Sequence, residues 1–443
     1  MNINWKIIIL IIFLLAGLFR ILLSQPAGFE SLEVNNGLKV YYQKGELSRY
    51  TTLALIFKGG QAAEPPGKSG LSYLTTRLLA EIGDEDRLAD LLSAGVSLKV
   101  GSQPDFSYVQ FDFPTSEFEK VLKLGLTNLN QPIFSEIRIE AIKKALLSEA
   151  RREKSRLFDS AILCLKQRVF PESSYAASLF GDANSLKSIS KKDITRFYQL
   201  LMDPDKVRLI IITDLAKDRV DSLLKIYGSI LKFKMAKENQ SDLSNSSGSN
   251  HSSLILNHPK ATPPECLYQG PTGAAVLVGY LLPGPLKKTY PMAYLLQASL
   301  SGYPCSILWP LRQDKTLSYN PESYLEIING NILLWTYLET DSQLISRALE
   351  NLRGIFSPLA ENGLSQEEIE SSKLMAYTHY QRISFSRDNR IINLALFLAN
   401  NLQFDFENQL PALIEAVQPS AFNDLIRSVF KPGSAIEIII SSD

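Results

Sequence analysis

The spacing of hydrophobic and polar residues changes several times along the chain, and each change predicts a switch between strand and helix. Two short apolar runs between residues 32 and 44 flank Asn36-Gly37, a dipeptide that favours the turn of a β-hairpin. A longer apolar run at residues 51–60 ends in two glycines and predicts a buried strand. Residues 70–87 follow a loop rich in glycine and proline and carry apolar positions at helical spacing, so we expect an amphipathic helix there.

The remainder of this first half predicts two more strands and several helices. Two alternating runs surround Gln103-Pro104 and indicate a pair of strands. A long helical pattern covers residues 115–154 and is broken near Pro132, because proline cannot continue the hydrogen bonds of a helix. A helix followed by a strand closes the half at residues 189–214.

The second half repeats this order of elements. Residues 189–214 and 417–443 align with a constant offset, so that Ile194 corresponds to Phe422, 228 residues later. Chance similarity between two helix–turn–strand units is the alternative, but the shared position in each half favours duplication. The sequence therefore predicts an α+β fold of two homologous halves, each a mixed or antiparallel sheet packed by helices.

Composition gives the boundaries of the two halves. Residues 236–264 are rich in Ser, Asn and Pro and predict a flexible linker. The linker separates an N-terminal half at residues 30–235 from a C-terminal half at residues 265–443.

A hydrophobic segment at residues 1–25 precedes the first half. Its apolar run at residues 7–19 has the length of a signal peptide, but the run resumes after Arg20 and then approaches the length of a spanning helix. An uncleaved signal-anchor and a cleaved signal peptide are therefore both open. Either one predicts an exported protein, which is periplasmic or is anchored in the inner membrane and faces the periplasm.

Charge and residue counts argue against several classes of protein. The chain of 443 residues has 46 Lys+Arg and 46 Asp+Glu, and this balance predicts no nucleic-acid partner. Cys164, Cys266 and Cys305 are far apart and odd in number, so we expect separate buried thiols. Two of the three histidines lie in the linker, and His379 is alone in a predicted helix, where we expect a structural or surface role.

The segment GLSYLTTR at residues 70–77, together with the two repeated halves, resembles the insulinase/pitrilysin-type zinc metallopeptidase family, the inverzincins. This family includes mitochondrial processing peptidase, and its members carry G-L-A-H-x-L-E-H on the corresponding helix. By position, Tyr73 replaces the first zinc-binding histidine. Thr76 replaces the catalytic glutamate, and Arg77 replaces the second histidine.

These replacements remove the chemistry of the zinc helix. An HxxEH helix places two imidazoles one turn apart, beside a glutamate that takes a proton from zinc-bound water. Arg77 instead places a permanent positive charge where the dication would bind. The resemblance implies a third, carboxylate ligand that corresponds to Glu149, with Glu153 second by spacing. One carboxylate cannot hold zinc, so we expect Glu149 at the surface or paired with Arg77, and we expect no catalytic residue, metal or cofactor.

The second half retains part of a different family motif. The segment SGYPCSILWPLRQDKTLSY corresponds to a pattern in which an arginine precedes a tyrosine by seven residues, here Arg312 and Tyr319. The resemblance implies that this pair binds the substrate backbone and stabilises the tetrahedral intermediate at a zinc ion on the other half or on a partner. Ile307, Pro310 and Thr316 depart from the pattern. A helix-end arginine and a buried tyrosine without function are the alternative.

The asymmetric loss of motifs predicts the function. We expect a non-catalytic subunit of a two-subunit zinc peptidase, which is inactive alone and supplies Arg312 and Tyr319 to an HxxEH-bearing homologous partner and its peptide substrate. The alternative is a pseudo-peptidase, anchored to the membrane by the N-terminal segment, that acts as a binding or scaffold protein, as non-catalytic homologues do in the respiratory bc1 complex. The sequence contains no P-loop, dinucleotide fingerprint or G-x-S-x-G motif that would indicate an unrelated enzyme.

Overall fold

The described part of the chain covers most of both predicted halves. The computed structural model describes residues 28–34, 37–45, 49–82, 85–233, 265–301, 306–313, 317–318 and 321–442. The predicted signal segment, most of the predicted linker and Tyr319 lie outside these residues. The predictions made for them therefore stay predictions.

The first half contains six strands and eight α-helices among its described residues. In chain order they are β1 (Glu30–Glu33), β2 (Lys39–Lys44), β3 (Tyr50–Lys58), α1 (Leu71–Leu79), α2 (Glu85–Ser93), β4 (Ser97–Ser102), β5 (Phe106–Pro114), α3 (Phe118–Asn130), α4 (Glu136–Lys154), α5 (Leu157–Val169), α6 (Ala183–Ser188), α7 (Lys191–Leu201), β6 (Val207–Thr213) and α8 (Lys217–Tyr227).

The second half contains five strands and seven α-helices among its described residues. They are β7 (Glu265–Leu267), β8 (Ala274–Leu282), α9 (Leu286–Leu300), α10 (Trp309–Gln313), β9 (Glu322–Ile328), β10 (Asn331–Thr340), α11 (Ile345–Asn362), α12 (Gln366–Ser384), α13 (Arg387–Ala399), α14 (Phe406–Glu415), α15 (Pro419–Val429) and β11 (Ile436–Ser441).

Each half forms one mixed sheet, and the two sheets share a topology. The first sheet has the order β1-β2-β6-β3-β5-β4 and the second has the order β7-β11-β8-β10-β9. In each sheet one pair is parallel, β2 with β6 and β7 with β11, and the other pairs are antiparallel. The helices α7 and α15 begin 228 residues apart, as the aligned sequences predict. The predicted α+β fold of two homologous halves is therefore confirmed.

Several local predictions match the elements that form. The strands β1 and β2 pair antiparallel across the turn that contains Gly37, whose φ of 82° suits glycine. The strand β3 is buried along nearly its whole length, as its apolar run predicts. The long helical tract divides into α3 and α4, and Ser135 caps α4 by accepting a hydrogen bond from the backbone N–H of Arg138.

Each sheet is covered on one face by a helix from the other half. The helix α5 precedes the linker, yet Leu165 and its neighbours pack against Leu277 and Ile438 of the second sheet. The helix α13 belongs to the second half, yet Ile391 and Leu394 pack against the first sheet. This exchange joins the halves through two apolar cores.

Cys164 and Cys266 form a disulfide, so the expectation of separate buried thiols is wrong for these two residues. Cys164 lies on α5 and Cys266 on β7, with a Cα–Cα distance of 6.2 Å and a sequence separation of 102. Because α5 crosses to the second sheet, it brings together two cysteines that no sequence spacing relates. The bond links the two halves covalently.

No helix of the described residues is both long and apolar enough to span a bilayer. The hydrophobic segment at residues 1–25 lies outside that set.

Candidate functional site

The helix α1, which carries the replaced zinc-binding positions, is held by polar contacts at its beginning. Gly70 precedes it with a φ of 87°, and a Cβ there would lie 2.8 Å from the carbonyl oxygen of Phe180. Glu64 accepts a hydrogen bond of 2.8 Å from the backbone N–H of Ser72. Burial raises the pKa of Glu64 to about 8.

The helix also packs on the end of the sheet through hydroxyl groups. The Ser72 Oγ lies 2.8 Å from the Oγ atoms of Ser102 on β4 and Ser107 on β5. All three serines are buried, and their hydrogen bonds satisfy one another. These contacts fix which faces of α1 point to the core and which point outward.

The three replaced positions on α1 divide between the core and the surface. Thr76 is fully buried, and its Oγ1 donates a hydrogen bond of 2.8 Å to the carbonyl oxygen of Ser72 in the preceding turn. Tyr73 is half-buried, with its ring centroid 5.3 Å from that of Phe180. Arg77 is exposed. The position of the family's catalytic glutamate is thus occupied by a core threonine.

The charges of Arg77 and Glu149 both act on the Tyr73 hydroxyl. Burial raises the pKa of Tyr73, the Arg77 guanidinium lowers it by charge and hydrogen bonding, and the Glu149 carboxylate raises it. Glu149 also pairs with Arg152 one turn along α4, at 3.2 Å. Its side chain is 41% exposed, which fits the expected surface location.

Glu153, the second carboxylate by spacing, lies in a different environment. Burial raises the pKa of Glu153, and a hydrogen bond with Ser178 lowers it. One of its oxygens, Oε2, is buried without a hydrogen-bond partner among the described residues. Of these two carboxylates, Glu149 is the one whose charge acts on Tyr73.

The donor set at this position does not fit zinc. A tetrahedral zinc site in a peptidase needs three protein ligands, whereas Tyr73 and Arg77 stand where two imidazoles are required. An arginine stays protonated in proteins and repels a dication. Across the described residues, no three His, Cys, Asp or Glu side chains form a cluster that could hold a metal ion.

Arg312 lies on the short helix α10 of the second half. The neighbouring side chains of Leu308 and Leu311 are buried and anchor this segment in the core. The guanidinium carbon of Arg312 lies 5.1 Å from the ring centroid of Trp309, in a cation–π contact. The described residues stop short of Tyr319, so the predicted Arg312–Tyr319 pair stays a prediction.

A second polar cluster in this half carries no signal in the sequence. The Nδ1 of His379 lies 2.9 Å from the hydroxyl of Tyr294, and burial lowers the pKa of His379 to about 4. The half-buried imidazole also lines a cavity with Glu407. These residues come from three helices, and no motif relates their spacing.

Comparison with known proteins identifies relatives that span both halves. A family model described as Peptidase M16 inactive domain matches residues 188–375. The non-peptidase homolog YmxG of Helicobacter pylori is 20% identical over 423 residues, which cover 94% of this chain and 95% of the relative. The first description names an inactive domain and the second a non-peptidase homologue, in agreement with the lost zinc ligands.

Solved structures share the fold at low sequence identity. The peptidase M16 inactive domain from Pseudomonas fluorescens has a TM-score of 0.78 and 17% identity, covering 93% of this chain and 97% of that chain. A chain of complex III2 from Candida albicans, with Inz-5 bound, has a TM-score of 0.74 and 12% identity. The match covers 93% of this chain and 96% of that chain. In both cases the similarity covers 93% of this chain and therefore extends over both halves.

Proposed function

The chain belongs to the M16 peptidase family, the insulinase/pitrilysin-type peptidases, as an inactive homologue, and we propose that it is the non-catalytic subunit of a two-subunit zinc peptidase. Its partner is a homologous chain with an intact HxxEH helix, which holds the zinc ion. This chain supplies Arg312 and Tyr319 to the chamber where a peptide substrate binds. Alone, it hydrolyses no peptide bond.

One observation carries the proposal, namely an asymmetry between the halves. The zinc-helix positions hold Tyr73, Thr76 and Arg77, which cannot bind zinc. The second half keeps an arginine at Arg312 and a tyrosine at Tyr319, where the family uses these residue types on the substrate. Loss of the metal site with retention of the substrate pair is what a helper subunit requires.

The surroundings of Arg312 support such a role. A guanidinium stays charged and presents several N–H donors, which suit a substrate carbonyl or a developing oxyanion. The contact with Trp309 restricts the side chain, so less rotational freedom is lost when substrate binds.

Reconstitution with an HxxEH-bearing homologue tests the proposal. We expect Arg312→Ala to lower kcat/KM of the complex by about 10²–10³, the loss typical of one oxyanion donor. Arg427→Ala is the matched control, because Arg427 is an exposed arginine of the same half. Unchanged activity in Arg312→Ala would refute the assigned role.

Elemental analysis of the isolated chain is an independent test. We expect no stoichiometric zinc, since Tyr73 and Arg77 replace both histidines. One zinc per isolated chain would overturn the proposal, whatever the reconstituted complex does.

We also propose that the chain is exported and functions at the periplasmic side, with residues 1–25 as its export signal. The bond between Cys164 and Cys266 supports this location, because disulfides persist in oxidising compartments. Protease added to spheroplasts should degrade the chain. Full protection in spheroplasts with an intact inner membrane would contradict the location.

A scaffold role is the second candidate function. It is favoured by the similarity to a chain of complex III2 from Candida albicans over 93% of this chain. In this case the chain binds other proteins and takes no part in hydrolysis. Purification with partners that all lack HxxEH would favour it over the peptidase subunit.

A further inference from the structure

A two-chambered cavity lies among β9 and the helices α9, α12, α13 and α14 in the second half. The outer chamber has a volume of about 320 Å³ and a polar lining that includes Ser301, Glu322 and Arg382. The inner chamber has a volume of about 160 Å³. Gln297 and His379 line both chambers, so the two meet at these residues.

The inner chamber combines aromatic walls with one buried carboxylate. Tyr290, Tyr380 and Phe397 line this chamber together with Glu407, which is only 1% exposed. Neither carboxylate oxygen of Glu407 makes a hydrogen bond of good geometry among the described residues, although the Asn393 side chain lies near enough to lower the pKa of Glu407. Arg390 lies 3.8 Å from this carboxylate, beyond hydrogen-bond distance, and is not among the lining residues.

His379, at the junction of the chambers, adds no positive charge to that of Arg382, which lines the outer chamber. The His379 Nδ1 contacts the Tyr294 hydroxyl at 2.9 Å. Burial lowers the pKa of His379 to about 4, so the imidazole is neutral at physiological pH. A cation can therefore pass from the outer to the inner chamber without repulsion from this residue.

We propose that this cavity binds a primary ammonium group, on a lysine side chain or at the amino terminus of a peptide, with the nitrogen at Glu407 and the polar remainder in the outer chamber. Carboxylates and aromatic faces both attract ammonium ions. An apolar cavity of about 150 Å³ holds benzene, so an alkylammonium of similar size fits the inner chamber. The inference does not depend on the proposed peptidase partner.

Calorimetry with n-butylamine on the full chain at pH 8 tests the site. We expect n-butylammonium to bind and n-butanol, its uncharged counterpart, to bind about tenfold more weakly or worse, because only the cation pairs with Glu407. Glu407→Gln should lose this preference. Glu415→Gln, an exposed position on the same helix, should keep it. Equal binding of amine and alcohol by the unaltered chain overturns the proposal.

The pH dependence of the unaltered chain gives a second test that needs no variant. Burial raises the pKa of Glu407 to about 7, against the opposing effects of the Arg390 charge and the Asn393 side chain. Ionisation of Glu407 should therefore strengthen amine binding about tenfold between pH 6 and pH 8. Besides Glu407, the charged and titratable groups around the cavity are Arg390, Tyr290, Tyr294, Tyr324, Tyr380, His379, Arg382 and Glu322. Amine affinity that is constant over this range contradicts a site at Glu407.

Two further probes distinguish the sources of the ammonium group. Nα-acetyl-lysine methylamide carries it on the side chain, and alanyl-alaninamide carries it at the amino terminus. Tighter binding of the first assigns the site to lysine side chains, and tighter binding of the second assigns it to peptide termini. Failure of both to compete with n-butylamine overturns the assignment to peptides.

Discussion

Replacing Cys164 and Cys266 together by alanine removes the covalent bond between the two halves. The bond closes a loop with a sequence separation of 102, which runs from α5 through the rest of the first half to β7. Without the bond, the unfolded chain has more conformational entropy, which lowers its free energy by about 4.7 kcal/mol at 25 °C for a loop of that length. We therefore expect the double variant to lose stability, mainly through its effect on the unfolded state.

Urea unfolding followed by circular dichroism measures the loss. With a slope of roughly 3 kcal/mol/M, the expected change lowers the midpoint by about 1.5 M. Cys305→Ala is the matched control, because Cys305 is the remaining cysteine. Reduction of the unaltered chain should lower its midpoint to that of the double variant and should leave the double variant unchanged.

The number of free thiols tests the reasoning directly. Three cysteines and one disulfide leave one thiol that reacts in the denatured, unreduced chain. Three reactive thiols would refute the pairing. One reactive thiol with no difference in urea midpoint would retain the pairing but refute the entropic estimate.

Two further predictions concern buried side chains. Leu394→Ala should lower the free energy of unfolding by about 2–5 kcal/mol, because this fully buried leucine of α13 packs on the first sheet. The control Leu374→Ala, at a residue that is 67% exposed, should lower it by at most about 0.5 kcal/mol in the same urea assay. Burial raises the pKa of Glu64 to about 8 in the folded chain, above its value in the unfolded chain. As pH rises, the unfolded chain therefore releases this proton first. The free energy of unfolding should fall by about 1.4 kcal/mol per pH unit between about pH 5 and pH 8. Glu64→Gln can still accept a hydrogen bond from the Ser72 N–H and should reduce this pH dependence, whereas Glu415→Gln at an exposed position should not. An equal pH dependence in both variants would contradict the burial of an ionisable group at Glu64.

Local patterns predicted the elements that depend on neighbouring residues. The hairpin of β1 and β2, the buried strand β3 and the break between α3 and α4 all follow from turn residues, apolar runs and proline. The degenerate site was predictable for the same reason, since Tyr73, Thr76 and Arg77 lie within one short segment of α1. The family pattern also selected Glu149, whose charge acts on Tyr73.

The sequence could not reveal the cavity at Glu407. Its lining comes from several helices, of which α9 and α12 begin 80 residues apart. Each lining residue alone resembles an ordinary core or surface position. His379 was assigned a structural or surface role because a lone histidine in a helix carries no pairing information. Only the packing of the helices shows that its imidazole meets the Tyr294 hydroxyl.

The sequence by itself determined the two homologous halves and the absence of the zinc helix chemistry. Both are encoded in short segments, such as the repeat of Ile194 at Phe422 and the three replacements on α1. The tertiary structure decided that α5 and α13 each cover the sheet of the other half, and that Cys164 therefore meets Cys266. The physical reason is that an amphipathic pattern shows which face of a helix is buried, but not which apolar surface buries it.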